Sequence, residues 1–486
     1  MARLRSTSRW PRVAALVLLA ALAACSSSTK SGEAVPDHIK VSPPLVSLGL
    51  GGTQQVTAVV YDSRDSVITG AVVAYQSGDT TVARVSASGL VTGVGSGITA
   101  VTVRSAPAVA AVVVNVSSGV KTIALSPDSS ILTGANTLQL TAVGRDSLGN
   151  VTTAPISFAS YDSTIVAVSS TGLVLRRGVG STYVLATSGP VRDSVLVTAL
   201  IARVGEPDAG FAGGVFSETR GYVTLKNLGG AQLLDLSTPG NAGAALAVGQ
   251  LPTSMAINAA GTRAYVGNQT SGSVSVINTV SGAVIGTIPI GTLSVLSVFL
   301  APGDSLLFVG TDAANLYVVR LSTSAIIDSI RVANTNNMAL RSSTVLLAND
   351  VFYGYVYQIS LATRQVLDTM NVGGRPQGMV VSQDGTTLYL ANEIGQVQLW
   401  NLSTLQETGF IPLPTGGGFG LARSPANGLL YVSTSYIGSV VHVIDPVAGQ
   451  IVRTIVVGGT PRYIAFTADG SVGIVPNEGG WVDYIK

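Results

Sequence analysis

Residues 249–291 read G-Q-L-P-T-S-M-A-I-N-A-A-G-T-R-A-Y-V-G-N-Q-T-S-G-S-V-S-V-I-N-T-V-S-G-A-V-I-G-T-I-P-I-G, and this stretch decides the fold of most of the chain. It contains four short apolar runs separated by turn residues, chiefly glycine, asparagine and serine. Runs of this length that alternate between apolar and polar residues are typical of strands. The stretch therefore predicts four antiparallel strands in about 42 residues.

The same pattern returns along the C-terminal part of the chain. Repeats start near residues 205, 249, 291, 333, 374, 416 and 459. Four strands in a repeat of about 40–50 residues are typical of a β-propeller blade. The seventh repeat has room for only three strands, and 199–205 is similar to the fourth strand of the sixth repeat, 452–458. We therefore expect a seven-bladed β-propeller over 199–486 whose last blade is completed by 199–205, because an open blade edge would expose unpaired backbone groups.

Two related modules precede the propeller, at 38–117 and 120–198. Each has an S-x-D element followed by G-L-V, at 77–79 and 89–91 in the first and at 160–162 and 172–174 in the second. Short alternating strands with frequent turn signals are typical of a β-sandwich, and Gly89 and Gly172 lie where a hairpin is expected to need positive φ. The motifs resemble bacterial Ig-like domains of group 2. The predicted fold class is all-β: two Ig-like β-sandwiches followed by a seven-bladed β-propeller.

The N-terminus has the pattern of an export signal. Positive charge precedes an uncharged apolar run at 13–24 that is too short to span a bilayer. The run ends in L-A-A-C at 22–25, which resembles a bacterial lipobox. The resemblance implies a lipoprotein signal peptide at 1–24, lipidation of Cys25, and a membrane partner reached through that lipid. Residues 25–37 are predicted to be a flexible tether.

Composition argues against several function classes. The chain has 27 Lys and Arg against 25 Asp and Glu, and loss of the four arginines of the signal would leave 23. A nearly neutral chain without a basic run is not expected to bind nucleic acid. The only cysteine is Cys25, and the two histidines, His38 and His442, form no cluster in the sequence. No metal, cofactor or catalytic residue is therefore predicted, and His442 is assigned a structural role.

Polar residues mark one face of the predicted propeller. The second strand of most blades ends in asparagine or a similar residue, and an acid often lies at or after that point. The turns before the first strands add arginines, and both loop sets meet at the mouth of the channel. The ligand-binding residues predicted there are Asp350, Arg375, Glu393, Arg462 and Glu478. The alternative interpretation is that the asparagines only cap turns, because asparagine tolerates the left-handed region.

The repeats at 200–486 resemble the YVTN-type propellers of bacterial surface and periplasmic proteins, which belong to a lactonase-like superfamily. The order of anchor, spacers and propeller favours an exported binding lipoprotein, held in the outer membrane with a periplasmic or surface-facing head. Its expected ligand at the mouth is a glycan or an envelope protein. Two alternatives remain: a lactonase-like hydrolase, which the scarcity of histidines disfavours, and an envelope assembly scaffold.

Overall fold

The structure is a computed structural model that describes residues 34–486 except 118, 148, 150, 153, 436 and 437. All regular elements within these ranges are strands, so the predicted all-β class is confirmed. The predicted signal peptide, Cys25 and most of the predicted tether lie outside the described residues. Within the described ranges, no helix has the length and apolar character needed to cross a membrane. The chain divides into two compact units, with the boundary in the sequence between Gly119 and Val120.

The first unit holds one β-sandwich. Its strands are β1 His38–Ser42, β2 Leu45–Gly49, β3 Thr53–Gln55, β4 Thr57–Tyr61, β5 Ala74–Ser77, β6 Ala83–Val85, β7 Leu90–Gly93, β8 Gly97–Ser105 and β9 Ala108–Ser117. The sheets are β2-β9-β8-β5, β3-β7-β6 and β1-β4. Alternate residues of β8 and β9, such as Val101, Val103, Val112 and Val114, are fully buried in the core of the sandwich. The alternation seen in the sequence therefore places one face of each strand in the core.

The second sandwich repeats this topology. Its strands are β10 Thr122–Ser126, β11 Ser129–Thr133, β12 Thr137–Gln139, β13 Thr141–Arg145, β14 Ser157–Ser160, β15 Val166–Val168, β16 Leu173–Arg176, β17 Gly180–Ser188 and β18 Val191–Leu200. The sheets are β11-β18-β17-β14, β12-β16-β15 and β10-β13. The last strand runs to Leu200, two residues beyond the boundary expected at 198.

Both predicted positive-φ glycines are confirmed. Gly89 has φ of 85° and Gly172 has φ of 83°. A Cβ at Gly89 would lie 2.5 Å from the Val56 carbonyl oxygen, and one at Gly172 would lie 2.5 Å from that of Leu140. Glycine is required at these two hairpins because both the backbone conformation and the space exclude a side chain.

Seven sheets follow in the described residues, as the repeat pattern predicts. Six of them have four strands, and the first has five because two short strands pair with its third strand. Blade 1 consists of β20 Ala209–Ser217, β21 Arg220–Leu225, β22 Gly230–Asp235 and the short β23 Gly240–Asn241 and β24 Leu246–Ala247. Blade 2 consists of β25 Pro252–Ile257, β26 Arg263–Asn268, β27 Ser273–Asn278 and β28 Ala283–Pro289. Blade 3 consists of β29 Val295–Leu300, β30 Leu306–Thr311, β31 Leu316–Arg320 and β32 Ala325–Ile330. Blades 4 to 6 consist of β33 Met338–Ser342, β34 Val345–Asp350, β35 Tyr355–Ser360, β36 Val366–Asn371; β37 Pro376–Val381, β38 Thr387–Asn392, β39 Gln396–Asn401, β40 Gln406–Pro412; and β41 Gly417–Arg423, β42 Leu430–Ser435, β43 Val440–Asp445, β44 Gln450–Val456.

The seventh blade is closed by a strand from the start of the propeller. It consists of β45 Ala465–Phe466, β46 Gly473–Asn477, β47 Trp481–Ile485 and β19 Ala202–Gly205. β19 pairs antiparallel with β47, so the predicted closure of the ring is confirmed. The closing strand starts at Ala202 and not at residue 199, because Ala199 and Leu200 pair within the second sandwich.

The second sandwich packs directly on the propeller within the second unit. Val179 and Leu200 of the sandwich share a buried apolar cluster with Tyr431 and Ile455 of blade 6. The backbone N–H of Val456 donates a hydrogen bond to Ser181 Oγ at 2.8 Å. The end of the second sandwich therefore shares buried apolar surface with blades 6 and 7.

Candidate functional site

The channel opens at one face into a cavity of about 270 Å³. Each blade contributes to its lining one side chain from near the start of its first strand. We call these seven residues the inner ring; they are Phe211, Thr253, Leu296, Asn336, Gln377, Phe419 and Arg462. They recur at intervals of about 42 residues. The repeat could therefore have identified this ring, had each blade been aligned on the residue after its turn.

Tyr463 forms the floor of the cavity. Its neighbours in the same column of the repeat are small or short, such as Ala212, Ser254 and Gly420. Its hydroxyl donates a hydrogen bond at 3.4 Å to the carbonyl oxygen of Asn336, which connects blade 7 to blade 4. Burial raises the pKa of the Tyr463 phenol. The Tyr463 side chain also lines a second cavity of about 360 Å³. Tyr463 therefore lies between the mouth cavity and this second cavity.

Arg462 and Glu478 lie together at the junction of blades 6, 7 and 1. The Arg462 guanidinium donates to Glu478 and lies between the rings of Phe211 and Phe419, 4.7 and 4.5 Å from their centroids. Lys226 Nζ donates to the other Glu478 oxygen at 2.7 Å. Burial raises the pKa of the Glu478 carboxyl, but the hydrogen bonds from Lys226 and Arg462 outweigh burial and hold that pKa below its usual range. Arg462 is therefore held in place by Glu478 and the two rings.

Arg375 and Glu393 form a more open pair in blade 5. Arg375 Nε lies 3.4 Å from Glu393 Oε2, and the Arg375 side chain is 51% exposed. Gln377 Nε2 donates to Glu393 Oε1 at 2.8 Å, and Asn336 Nδ2 donates to Gln377 Oε1 at 2.6 Å. The chain of hydrogen bonds fixes the orientation of both amides. The Arg375 guanidinium also lies 5.5 Å from the ring of Phe352.

Asp350 does not line the cavity, in contrast to the expectation from the sequence. It is buried, and its Oδ1 accepts hydrogen bonds from the backbone N–H groups of Phe352 and Tyr353, both at 3.1 Å. A short carboxylate that begins a turn satisfies the backbone donors of that turn. Asp350 therefore positions the loop that carries Phe352, which itself lines the cavity. Of the five predicted residues, the lining includes Arg375, Glu393 and Arg462, and Glu478 supports it from behind.

The buried asparagines at the ends of the second strands accept hydrogen bonds from the loops before the first strands. Asn392 Oδ1 accepts from the Arg375 N–H at 2.9 Å, and Asn477 Oδ1 accepts from the Thr460 N–H at 2.8 Å. Asn349 makes the same contacts to the N–H groups of Asn336 and Asn337. Each amide ties the loop before the first strand to the end of the second. None of the three asparagines has positive φ, so the capping interpretation holds while its left-handed explanation does not.

His442 lies in the middle of β43 and does not line the mouth cavity. Its two ring nitrogens lie 2.8 Å from Thr415 Oγ1 and 2.9 Å from Thr454 Oγ1. Burial lowers its pKa to about 4, so the ring is neutral near pH 7. Within the described ranges, no three His, Cys, Asp or Glu residues lie close enough together to hold a metal ion.

The fold and the mouth define an all-β protein with a propeller suited to binding or scaffolding, preceded by Ig-like sandwiches. A family model described as the bacterial Ig-like domain (group 2) matches residues 36–114, so the first sandwich is a domain of that family.

Solved propellers share the fold of the C-terminal part. One similar structure is the hydrazine synthase of Kuenenia stuttgartiensis, with a TM-score of 0.52 and 17% identity over 58% of this chain and 96% of that one. Another is the WD40 β-propeller domain of Doa1, with a TM-score of 0.51 and 12% identity over 59% of this chain and 95% of that one. At these identities the likeness is one of fold alone.

A curated human protein, the U3 small nucleolar RNA-associated protein 18 homolog, is 25% identical over 112 residues. The match covers 22% of this chain and 20% of the human protein, so the chain spans about a fifth of the length of that relative.

Proposed function

We propose that this chain is a membrane-anchored lipoprotein of the cell envelope whose propeller binds a polar ligand at its mouth without turnover. The observation that carries the proposal is the inner ring: seven side chains, one from each blade, around a cavity of about 270 Å³. Its aromatic and amide side chains are held by hydrogen bonds, stacking and ion pairs. A preformed cavity of mixed apolar and polar lining is the usual form of a small-molecule or glycan site.

The electrostatics of the mouth favour binding over hydrolysis. A general base works best when its pKa lies near the working pH. The pKa of Glu478 is instead held low by Lys226 and Arg462, and Glu393 is engaged by Arg375 and Gln377. Asp350 is occupied by the turn that it caps. A lactonase-like hydrolase would need one of these carboxylates to leave its hydrogen-bond partners and act as a general base.

The envelope location rests on the N-terminal sequence and on the first domain. The run that ends in L-A-A-C at 22–25 supports lipidation at Cys25. Bacterial Ig-like domains are typical of extracellular or surface proteins, and one occupies 36–114. The YVTN-like repeats point to the same compartment. A glycan or an envelope protein is therefore the partner we expect at the mouth.

A pair of matched substitutions tests the mouth as the site. Phe352 lines the cavity and is 62% exposed, whereas Phe410 lies on the outer strand of blade 5 and is 58% exposed. We expect Phe352→Ala to reduce binding to envelope polysaccharide fractions, measured by biolayer interferometry, and Phe410→Ala to leave it unchanged. Equal binding by both variants and the wild type would place the site elsewhere.

The enzyme alternative is tested with the same protein. The wild type and an Arg375→Ala, Glu393→Gln double variant are assayed for hydrolysis of sugar lactones. We expect no turnover by either. Hydrolysis by the wild type that the double variant loses would replace the binding proposal with the hydrolase.

A further inference from the structure

We infer that the mouth recognises a compact organic carboxylate with a ring-sized body, and that Arg375 is the residue that engages its charge. This inference rests on the proposed function of the mouth and specifies its ligand. It follows from two features: the different exposure of its two arginines, and the shape and chemistry of its lining.

The charged groups in and behind the cavity wall are balanced. Three cations, Lys226, Arg375 and Arg462, lie near three carboxylates, Glu393, Glu478 and Asp350. Asp350 is bound by neutral backbone N–H groups of its own turn. An anionic ligand therefore needs a cation that the wall leaves accessible, because charge in a partly desolvated cavity is stabilised by a counter-charge.

Only one of the two lining arginines is available to such a ligand. The Arg462 side chain is 8% exposed, lies against the rings of Phe211 and Phe419, and is bound to Glu478. Arg375 is about half exposed, and its contact to Glu393 at 3.4 Å is longer than the usual charge-assisted hydrogen bond. Glu393 also keeps a second partner, Gln377, when Arg375 turns away. Arg375 can therefore turn to a ligand carboxylate while Glu393 keeps a hydrogen-bond donor.

The lining selects the body that carries the carboxylate. The cavity volume lies just below the range of about 300–1,000 Å³ that is typical of drug-sized ligands, so the cavity holds one ring-sized group of a ligand. The floor is the aromatic ring of Tyr463, and Phe352 stands at the rim. Leu296 and Val351 add apolar surface. A flat or cyclic apolar body has complementary contacts here, with its carboxylate directed to Arg375.

Titrations of the full chain test the inference. The probes are benzoate and cyclohexanecarboxylate, with benzamide as the neutral analogue and inorganic phosphate as an anion without a ring; binding is measured by calorimetry and ligand-observed NMR. We expect both carboxylates to bind, benzamide and phosphate to bind at least tenfold more weakly, and added salt to weaken the binding.

Arg375→Gln identifies the residue, and Arg364→Gln is its control. Arg364 also pairs with a carboxylate, Asp328, but does not line the mouth cavity. Loss of a charge-assisted contact is expected to weaken carboxylate binding about tenfold or more in Arg375→Gln and to change nothing in Arg364→Gln. Arg375→Lys keeps the charge without the planar fork and is expected to fall between them.

Several results would overturn the inference. They are no binding of either carboxylate up to about 10 mM, equal binding of benzamide or phosphate, or an unchanged affinity in Arg375→Gln. A failure confined to this inference is recognisable: the carboxylates would not bind, while Phe352→Ala would still reduce binding to envelope polysaccharide. If Phe352→Ala also had no effect there, the proposed function would fail with it.

Discussion

Arg203 donates from Nε to Oδ1 of Asp483 at 2.6 Å, and 280 residues of chain separate the two. Arg203 lies on the closing strand β19 and Asp483 on β47, so this ion pair joins the start of the propeller to its end. Arg203 also stacks on Trp481, 4.4 Å from the ring centroid. Burial raises the pKa of Asp483 to about 6 even though Arg203 and Trp481 donate to it.

Arg203→Ala is expected to destabilise the propeller by about 3 kcal/mol at pH 8, because it leaves the buried Asp483 carboxylate without its counter-charge. The folded pKa of Asp483 lies above its unfolded value of 3.8, so this carboxyl weakens the fold as pH rises through about 4 to 6. The loss in the variant should therefore be smaller at pH 5, where Asp483 can take up a proton. Chemical denaturation at the two pH values measures the difference.

The control is Arg220→Ala. Arg220 lies 3.6 Å from Asp235 in an exposed pair, and removal of an exposed pair is expected to cost less than about 1 kcal/mol. Equal losses in the two variants would show that the Arg203 pair does not hold the ring closed.

The propeller is expected to need the end of the second sandwich for full stability. Chains that start at residues 120, 201 and 207 form a series. The first keeps the sandwich, the second keeps only β19, and the third loses β19 as well. The second exposes the cluster that Val179 and Leu200 cover, at about 1.5–3 kcal/mol for each side chain. The third exposes the edge of β47 and should aggregate.

Calorimetry and light scattering on the three proteins decide this point. Identical melting temperatures for the chains that start at 120 and 201 would mean that the second sandwich is an independent module after all.

His442→Gln is expected to reduce the acid sensitivity of the fold. The folded pKa of His442 is lowered to about 4 from 6.5, so the unfolded chain takes up the proton first as pH falls. The contribution of neutral His442 to the free energy of unfolding is fully present above about pH 6.5. It falls by about 1.4 kcal/mol per pH unit between about pH 6.5 and pH 4. Glutamine is the natural replacement, because Gln398 occupies the equivalent strand position in blade 5.

Denaturation of the wild type and His442→Gln at pH 7 and pH 4.5 measures this effect, and the comparison cancels the opposite contribution of Asp483. Parallel losses in the two proteins would contradict it.

Gly89→Ala is expected to cost more than Gly70→Ala, although both glycines have positive φ. At Gly89 a Cβ would lie 2.5 Å from the Val56 carbonyl oxygen, whereas at Gly70 nothing lies within 4 Å. Backbone strain alone is worth about 1–3 kcal/mol, and the clash adds to it at Gly89. Calorimetry of the full chain compares them, and equal shifts would show that φ alone matters at this hairpin.

Cys25→Ser is expected to leave an unprocessed precursor that incorporates no fatty acid. The reason is the L-A-A-C sequence at 22–25, in which the thiol is the group to be acylated. Metabolic labelling with a palmitate analogue measures the incorporation. Ser26→Ala is the control, and labelling of both variants would refute lipidation at Cys25.

Repetition made most of the architecture predictable from the sequence. A period of about 42 residues, the positions of glycine and proline, and the alternation of apolar residues are local properties, and they determined the strands, the blades and the hairpin glycines. The closing strand was also predictable, because one repeat was a strand short and a similar stretch lay upstream. These signals depend only on neighbours in the chain.

Only the tertiary structure decided how the mouth is built. The sequence suggested equal roles for Asp350 and Arg375. In the structure, Asp350 is bound by the backbone N–H groups of its own turn, whereas the Arg375 side chain is half exposed. It gave no sign that Arg462 would lie between Phe211 and Phe419, since these residues come from blades 7, 1 and 6. The availability of a side chain depends on which distant groups surround it, and closing the ring determines those neighbours.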